Sequence, residues 1–222
     1  MHTAAAGLIV GNDRYYIPAL PLFRCEQEIK RSRFIVSISH AQDVESARDF
    51  VSRIRQEFPD ATHNCWACAV GPPGDTAKVA FSDDGEPQGT AGRPMLHALL
   101  HGRAGEIVAV VTRYFGGVKL GAGGLVRAYS GAVAAAAEEL PLKEKIIPVR
   151  LRVVVAYSHV TQLKRLFERT EAAVELEKFT DHAEFIISLP QEHAETLERD
   201  VSEFTSGQGR VKREDLEELN YI

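Results

Sequence analysis

Ile107-Val108-Ala109-Val110-Val111-Thr112-Arg113-Tyr114-Phe115-Gly116-Gly117-Val118-Lys119-Leu120-Gly121-Ala122-Gly123-Gly124-Leu125-Val126-Arg127 is the stretch on which the fold turns. Its first eight residues are an almost unbroken, valine-rich apolar run, the pattern of a central strand covered on both faces. Residues 125–140 are alanine-rich and stop before Pro141, which predicts a helix. Between strand and helix lie five glycines in nine residues: Gly116, Gly117, Gly121, Gly123 and Gly124. Backbone N–H groups at a helix start attract anions, and glycine lets a phosphate come close. Arg113, Lys119 and Arg127 surround the loop, so contact with phosphate or an RNA backbone is expected there. The spacing is not a P-loop, because Ala122-Gly123 stands where Lys-Ser/Thr is needed. It is not the dinucleotide fingerprint either, because Val126 replaces the third glycine. The alternative is that the glycines serve only tight turns and close helix packing.

Working outward, residues 22–30 and 33–39 read as strands. Residues 43–58 carry Val44, Ala47, Phe50, Val51 and Ile54 at helical spacing and stop at Pro59. Residues 62–70 and 78–81 read as strands, and residues 92–100 as a helix with Pro94 near its start. Beyond Pro141 the order becomes strand 150–157, helix 161–169, strands 173–178 and 183–189, helix 192–204 and a last strand from 209. That β-α-β-β-α-β order is the ferredoxin-like pattern. The expected architecture is therefore α+β in two domains: an N-terminal extension (1–19), a β-α domain with the glycine-rich loop (20–144) and a ferredoxin-like domain (145–222).

Bulk properties narrow the function. The chain has 222 residues, enough for two cores, with 45% hydrophobic and 26% charged residues, which excludes a disordered chain. Its net charge of −5 excludes a generic nucleic-acid binder. The charge is unevenly placed. From Ile146 onward there are 10 basic and 15 acidic residues, so the first part is balanced at 16 of each. No acidic residue lies between Glu106 and Glu138, and Arg93, His97, His101 and Arg103 come just before. A cationic face within an acidic protein points to a specific anionic partner. Three cysteines, Cys25, Cys65 and Cys68, argue against a disulfide framework and for the cytoplasm. The apolar run 4–10 is too short to span a bilayer, so no membrane association is expected.

Other constellations carry chemistry less directly. Asp83, Asp84 and Glu86 are hard oxygen ligands close in sequence and form a weak candidate Mg²⁺ or Ca²⁺ site, although Asp84-Gly85 is also an ordinary turn pair. Thr90 is placed to cap the helix that follows. His63 and Cys65, two apart on a strand, share a face and form a candidate nucleophile pair, with a buried thiol beside a satisfied histidine as the alternative. Cys65 and Cys68, three apart, diverge. His97 and His101 read as a solvated helix face. Lys30-Arg31-Ser32-Arg33 either extends the basic face or forms a charged turn. Tyr114, Phe115 and Tyr129 are candidate stacking residues, with Phe115 assigned to the core.

Four motifs together, Ser32-Arg33-Phe34-Ile35, Ala61-x-His63-x-Cys65-x-Ala67, Ser82 to Pro94 and Val111 to Tyr129, closely resemble the IMPACT/YigZ family from Cys25 onward. The resemblance implies an N-terminal domain like the second domain of a small-subunit ribosomal protein, also the fold of elongation factor G domain four. It implies a ferredoxin-like second domain similar to elongation factor G domain five. Eukaryotic members of that family are translation regulators that restrain a stress-responsive initiation-factor kinase through its ribosome-associated activator.

Three readings follow. The first is a translation-associated module that contacts ribosomal or other structured RNA through Arg113, Lys119 and Arg127, widened by Arg33, Arg93 and Arg103. The second is an enzyme on a small phosphorylated or nucleotide ligand. The third is a protein-interaction module regulating a kinase or translation factor. No cofactor is expected, and the sequence leaves the oligomeric state open.

Overall fold

The computed structural model describes residues 14–214. Residues 1–13, including the apolar run 4–10, lie outside the described residues. The chain divides into two compact units between Lys145 and Ile146.

In the first unit, β2 (Phe23–Ile29), β3 (Ser32–His40), β4 (His63–Val70), β5 (Lys78–Ser82) and β6 (Ile107–Tyr114) form one sheet in the order β2-β3-β6-β4-β5. Every neighbouring pair is antiparallel. β6 lies at the centre and is buried from Ile107 to Arg113, as its unbroken apolar run requires. Its two faces meet different layers. Val108 and Val110 pack with Cys68 under α1 (Val44–Glu57). Ile107, Ala109 and Val111 pack with Phe34, Cys65 and Tyr129 under α2 (Gly92–Leu100) and α3 (Ala122–Glu139). The two thiols of Cys65-x-x-Cys68 therefore point to opposite sides of the sheet.

Local chemistry sets the helices. Asp43 begins α1 with a reciprocal cap: its carboxylate accepts from the Ser46 N–H at 2.7 Å, and the Ser46 hydroxyl accepts from the Asp43 N–H at 3.2 Å. α3 buries Leu125, Ala128, Tyr129, Ala132, Val133 and Ala136, one stripe at helical spacing. It starts at Ala122, three residues before the alanine-rich run, so Gly123 and Gly124 belong to its first turn rather than to the loop. Glycine costs only about 1 kcal/mol in a helix, and packing overrides it.

Two short strands escaped the sequence reading. β1 (Arg14–Pro18) falls in the stretch assigned to an extension, and β7 (Leu142–Ile146) straddles the expected boundary between the two domains. They pair as a two-stranded sheet, with Tyr15 and Ile17 buried. Prolines flank both strands and β7 is charged, so neither shows the usual strand signal. Buried Glu106 holds this sheet to the body of the unit: it accepts from the Tyr15 hydroxyl at 2.6 Å, from Lys145 Nζ and pairs with His40 Nε2 at 2.6 Å. Burial alone would raise the Glu106 pKa, but Lys145, Tyr15 and His40 together outweigh it and hold the carboxyl below the usual range.

A pH dependence follows. The folded-state pKa lies below the unfolded value of roughly 4.3, so this stabilisation is present above that pH. It is lost as pH falls through the folded pKa. Urea midpoints measured from pH 7 down to about pH 3 should fall less steeply in Glu106→Gln than in wild type, with Glu106→Gln already weaker at pH 7. Parallel curves would show that Glu106 contributes no such linkage.

The second unit is β8 (Pro148–Val155), α4 (Val160–Arg169), β9 (Ala173–Phe179), β10 (Ala183–Pro190), α5 (Gln191–Phe204) and β11 (Arg210–Arg213). Its antiparallel sheet runs β11-β8-β10-β9. This is a ferredoxin-like unit. Leu151, Val153, Val155, Phe185 and Ile187 turn one sheet face toward Leu163, Phe167, Leu197 and Val201 of the helices. The other face carries ion pairs, with Arg152 bound to Glu184 at 2.5 Å and Glu214 at 2.6 Å. Among the described residues, no helix is long and apolar enough to cross a membrane.

Candidate functional site

The apolar row of β6 that faces α2 and α3 ends in a charge. Arg113 sits opposite Phe34 on β3 and His63 on β4. Its side chain is only 6% exposed. Nη1 donates to Glu86 at 2.5 Å, Nη2 donates to Ser32 Oγ at 3.3 Å, and the guanidinium lies over the rings of Phe34 and Phe115 at 5.5 and 5.7 Å. Nε is buried with no acceptor. The expectation that Arg113 is an open phosphate-neutralising cation therefore needs correction: Glu86 already neutralises it. Ser32 also accepts from the Gly116 N–H at 3.3 Å, tying the loop to the same charge. Sequence reasoning had given Ser32 no role. Its signals in the sequence are its place between Arg31 and Arg33 and at the head of the Ser32-Arg33-Phe34-Ile35 motif, and neither shows its partners, more than eighty residues away.

The carboxylates of the acidic loop are engaged in structural contacts. Asp83 Oδ1 accepts from the N–H groups of Ala91 and Gly92 at 2.9 and 2.8 Å, and Oδ2 from Gly89 at 2.8 Å. It thereby caps α2 from nine residues upstream. Burial works against its charge, but those three N–H groups prevail and hold the Asp83 carboxyl below its usual range. Thr90, expected as the cap, instead donates its hydroxyl to the Pro87 carbonyl at 2.6 Å. Asp84 binds Arg55 at 2.5 Å and the Asn64 N–H at 2.6 Å. Glu86 turns inward and is 4% exposed. The three carboxylates do not converge, and among the described residues no three metal-ligating side chains form a group.

Cys65 and His63 share a face but do not form a nucleophile pair. The Cys65 thiol donates to the Asp83 carbonyl at 2.9 Å and lies 3.4 Å from the Tyr129 hydroxyl. Burial is the main cause that pushes it up to about 12, far from a thiolate at neutral pH. His63 Nδ1 donates to the Asp84 carbonyl at 2.8 Å. The Tyr129 hydroxyl donates to Glu86 at 2.8 Å, and its pKa is raised, first by burial. Tyr129 is thus core, not a stacking platform.

Above this buried network the glycine-rich loop forms a cleft of about 280 Å³ lined by Glu86, Pro87, Arg113, Phe115, Lys119, Leu120, Gly121, Ala122 and Leu125. Gly116 makes the loop's close approach possible: a Cβ there would lie 1.8 Å from the Arg31 carbonyl oxygen. That contact brings the Lys30-Arg31 turn against the loop. Gly121 is the first residue before α3, at φ +72°, a conformation that glycine adopts without strain. It offers no side-chain cap, and the first turn carries no acid, so the start of an 18-residue helix is left with open N–H groups.

The expected cations divide into two sets. Arg31, Lys119 and Arg127 are exposed with no ion-pair partner among the described residues, and Arg127 reaches back to within 3.7 Å of the Cβ position of Gly123. Arg93 is likewise exposed, on the first turn of α2. Arg33 is engaged, with Nε and Nη2 donating to Glu26 at 2.5 and 2.8 Å and its guanidinium over Tyr114. Tyr114 donates its hydroxyl to Asp60 at 2.8 Å. Phe115, assigned to the core by the sequence, is 47% exposed at the cleft edge, because β6 has ended at Tyr114 and its alternation no longer applies. His97 and His101 stack at 4.1 Å on α2, in a separate groove beside α3.

Comparison with known proteins agrees with the motifs. Residues 30–137 match the Impact N-terminal domain, and residues 153–208 match DUF1949, a domain of unknown function. An IMPACT family member of Haemophilus influenzae is 40% identical over 182 residues, covering 82% of this chain and 88% of that protein. The IMPACT family member YigZ of Escherichia coli is 38% identical over 195 residues, covering 88% of this chain and 95% of that protein. A solved structure described as the crystal structure of a hypothetical protein superposes with a TM-score of 0.68 at 36% identity, over 92% of this chain and 99% of that one. Motifs, fold and relatives converge, and the chain belongs to the IMPACT family.

Proposed function

We propose that this protein is a translation-associated regulatory protein of the cytoplasm that binds ribosomal or other structured RNA at the head of α3. The observation that carries this reading is a pair of exposed cations, Lys119 and Arg127, beside an uncapped helix start, with exposed Arg31 on the turn that packs against the same loop, none of the three ion-paired among the described residues. Phosphates are attracted to such a start, and cations that have no internal partner are free to release counterions on binding. Family membership supports a role in translation, and three free thiols suit a reducing compartment. The deep groups of the site favour binding over chemistry. The Cys65 thiol is held protonated and Glu86 is neutralised by Arg113, so this arrangement activates no nucleophile.

The test is co-sedimentation with purified ribosomes over a salt series, comparing wild type with Arg31→Glu/Lys119→Glu/Arg127→Glu. All three positions are exposed, so the variant should fold, which circular dichroism checks. Wild-type pelleting should weaken steeply with salt, and the variant should lose roughly 2–3 units of the log–log salt slope and at least about tenfold in affinity at low salt. Equal pelleting of both proteins at every salt concentration would remove the RNA reading. Pelleting that does not respond to salt would point to a protein contact instead.

A further inference from the structure

Resting on the reading of α3 as an anion site, we infer that the cleft takes a single phosphorylated nucleotide unit, with the phosphate at the helix start and the base on Phe115. Four observations converge on this ligand.

The first is size. At about 280 Å³ the cleft is just smaller than drug-sized ligand pockets, roughly 300–1,000 Å³. It has room for one unit, and the buried Glu86–Arg113 pair forms part of its wall. The second is the mixed lining. Lys119 and the Gly121–Ala122 backbone suit an anion, while Pro87, Phe115, Leu120 and Leu125 suit a flat apolar ring. The third is the unmatched donor in that wall. Arg113 uses Nη1 on Glu86 and Nη2 on Ser32, but Nε is buried without an acceptor. A buried donor left unpaired is costly, so this wall of the cleft is under-satisfied as it stands. The fourth is Phe115. It is a large aromatic left 47% exposed, and its ring already lies near the Arg113 guanidinium at 5.7 Å. A base stacking on its solvent side would extend that pile.

Charge favours a terminal phosphate over one within a strand. A monoester carries about −1.5 to −2 at neutral pH, against about −1 for a diester. Lys119, Arg127 and Arg31 together with the helix start have no acid to offset them, since Glu86 is spent on Arg113. The shared chemistry is a nucleoside 5′-monophosphate group, supplied either by a free nucleotide or by the 5′ end of an RNA strand.

The experiment measures binding of one single-stranded RNA sequence, 3′-labelled, in 5′-phosphorylated and 5′-hydroxyl forms, by fluorescence anisotropy. AMP is titrated separately and followed by amide chemical shifts. Wild type should prefer the phosphorylated strand by roughly tenfold or more, and Phe115→Ala should lose most of that preference. AMP shifting the amides of residues 121–124, with an affinity close to that of the phosphorylated strand, would identify free nucleotide as the source. Preference confined to the strand would identify an RNA end. Equal binding of both strands, unchanged by Phe115→Ala, would overturn the inference while leaving the RNA face intact. AMP binding without RNA binding would support the inference and remove the RNA reading. No binding of strand or nucleotide would overturn both.

Discussion

Arg113→Met is expected to destabilise the N-terminal unit by about 3–5 kcal/mol, the usual cost of leaving one partner of a buried ion pair alone. The geometry requires an effect of that order. Arg113 and Glu86 are 6% and 4% exposed and 2.5 Å apart, so water cannot replace the lost partner. The orphaned Glu86 would keep the Tyr129 hydroxyl as its hydrogen-bond donor, with His63 Nε2 farther off at 3.9 Å. The double variant Arg113→Met/Glu86→Leu removes the charge along with its partner and should recover most of the loss. Urea unfolding followed by Trp66 fluorescence reports on this unit alone, because Trp66 is the single tryptophan and lies on β4. A loss below about 1 kcal/mol in Arg113→Met, the level of a surface pair, would mean that the pair is not the anchor of the loop.

Gly116→Ala should cost about 3 kcal/mol, the upper end of ordinary overpacking. The added Cβ would lie 1.8 Å from the carbonyl oxygen and 2.1 Å from the carbonyl carbon of Arg31. Both are backbone atoms, so no side-chain rotation relieves the clash, and either the turn or the loop must move. Gly117→Ala is the control. That glycine has φ +85° but no atom within 4 Å of its Cβ position, so its replacement carries only the strain of a left-handed conformation, about 1–2 kcal/mol. The same unfolding assay should rank Gly116→Ala as the weaker protein. On the proposed reading it should also weaken ribosome pelleting, since the turn that carries Arg31 must move relative to the loop. The reverse ranking would show that close approach does not govern Gly116.

The legible parts of this molecule are those whose cause is local. The valine run of β6, the periodic helix after Asp43 and the strand-helix order after Pro148 each carry their signal within about ten residues, and each stands as read. The parts that escaped depend on distant partners. β1 is a strand because β7 pairs with it, more than a hundred residues later. Asp83, a candidate ligand by composition, is a cap because the chain folds back to Ala91 and Gly92. At the site, the sequence marked the right segment but inverted two roles. Arg113, a cation near the end of an apolar run, is inside because the strand alternation of β6 reaches it. Phe115, an aromatic, is outside because that alternation has ended. Lys119 and Arg127 lie where the glycines placed them, whereas Arg31 joins them through a packing contact that no spacing reveals.

β4 carries Cys65 and Cys68 on opposite sides of one strand, each fully buried beneath a different helical layer. Neither thiol can meet a reagent while its own layer is closed, so an alkylating agent would record separations of α2 and α3 at Cys65 and of α1 at Cys68. Cys25, only half-buried on β2, supplies a less protected reference rate in the same chain. The order in which the two inner thiols become modified would thus tell which side of the sheet comes apart first, without a foreign label in the protein.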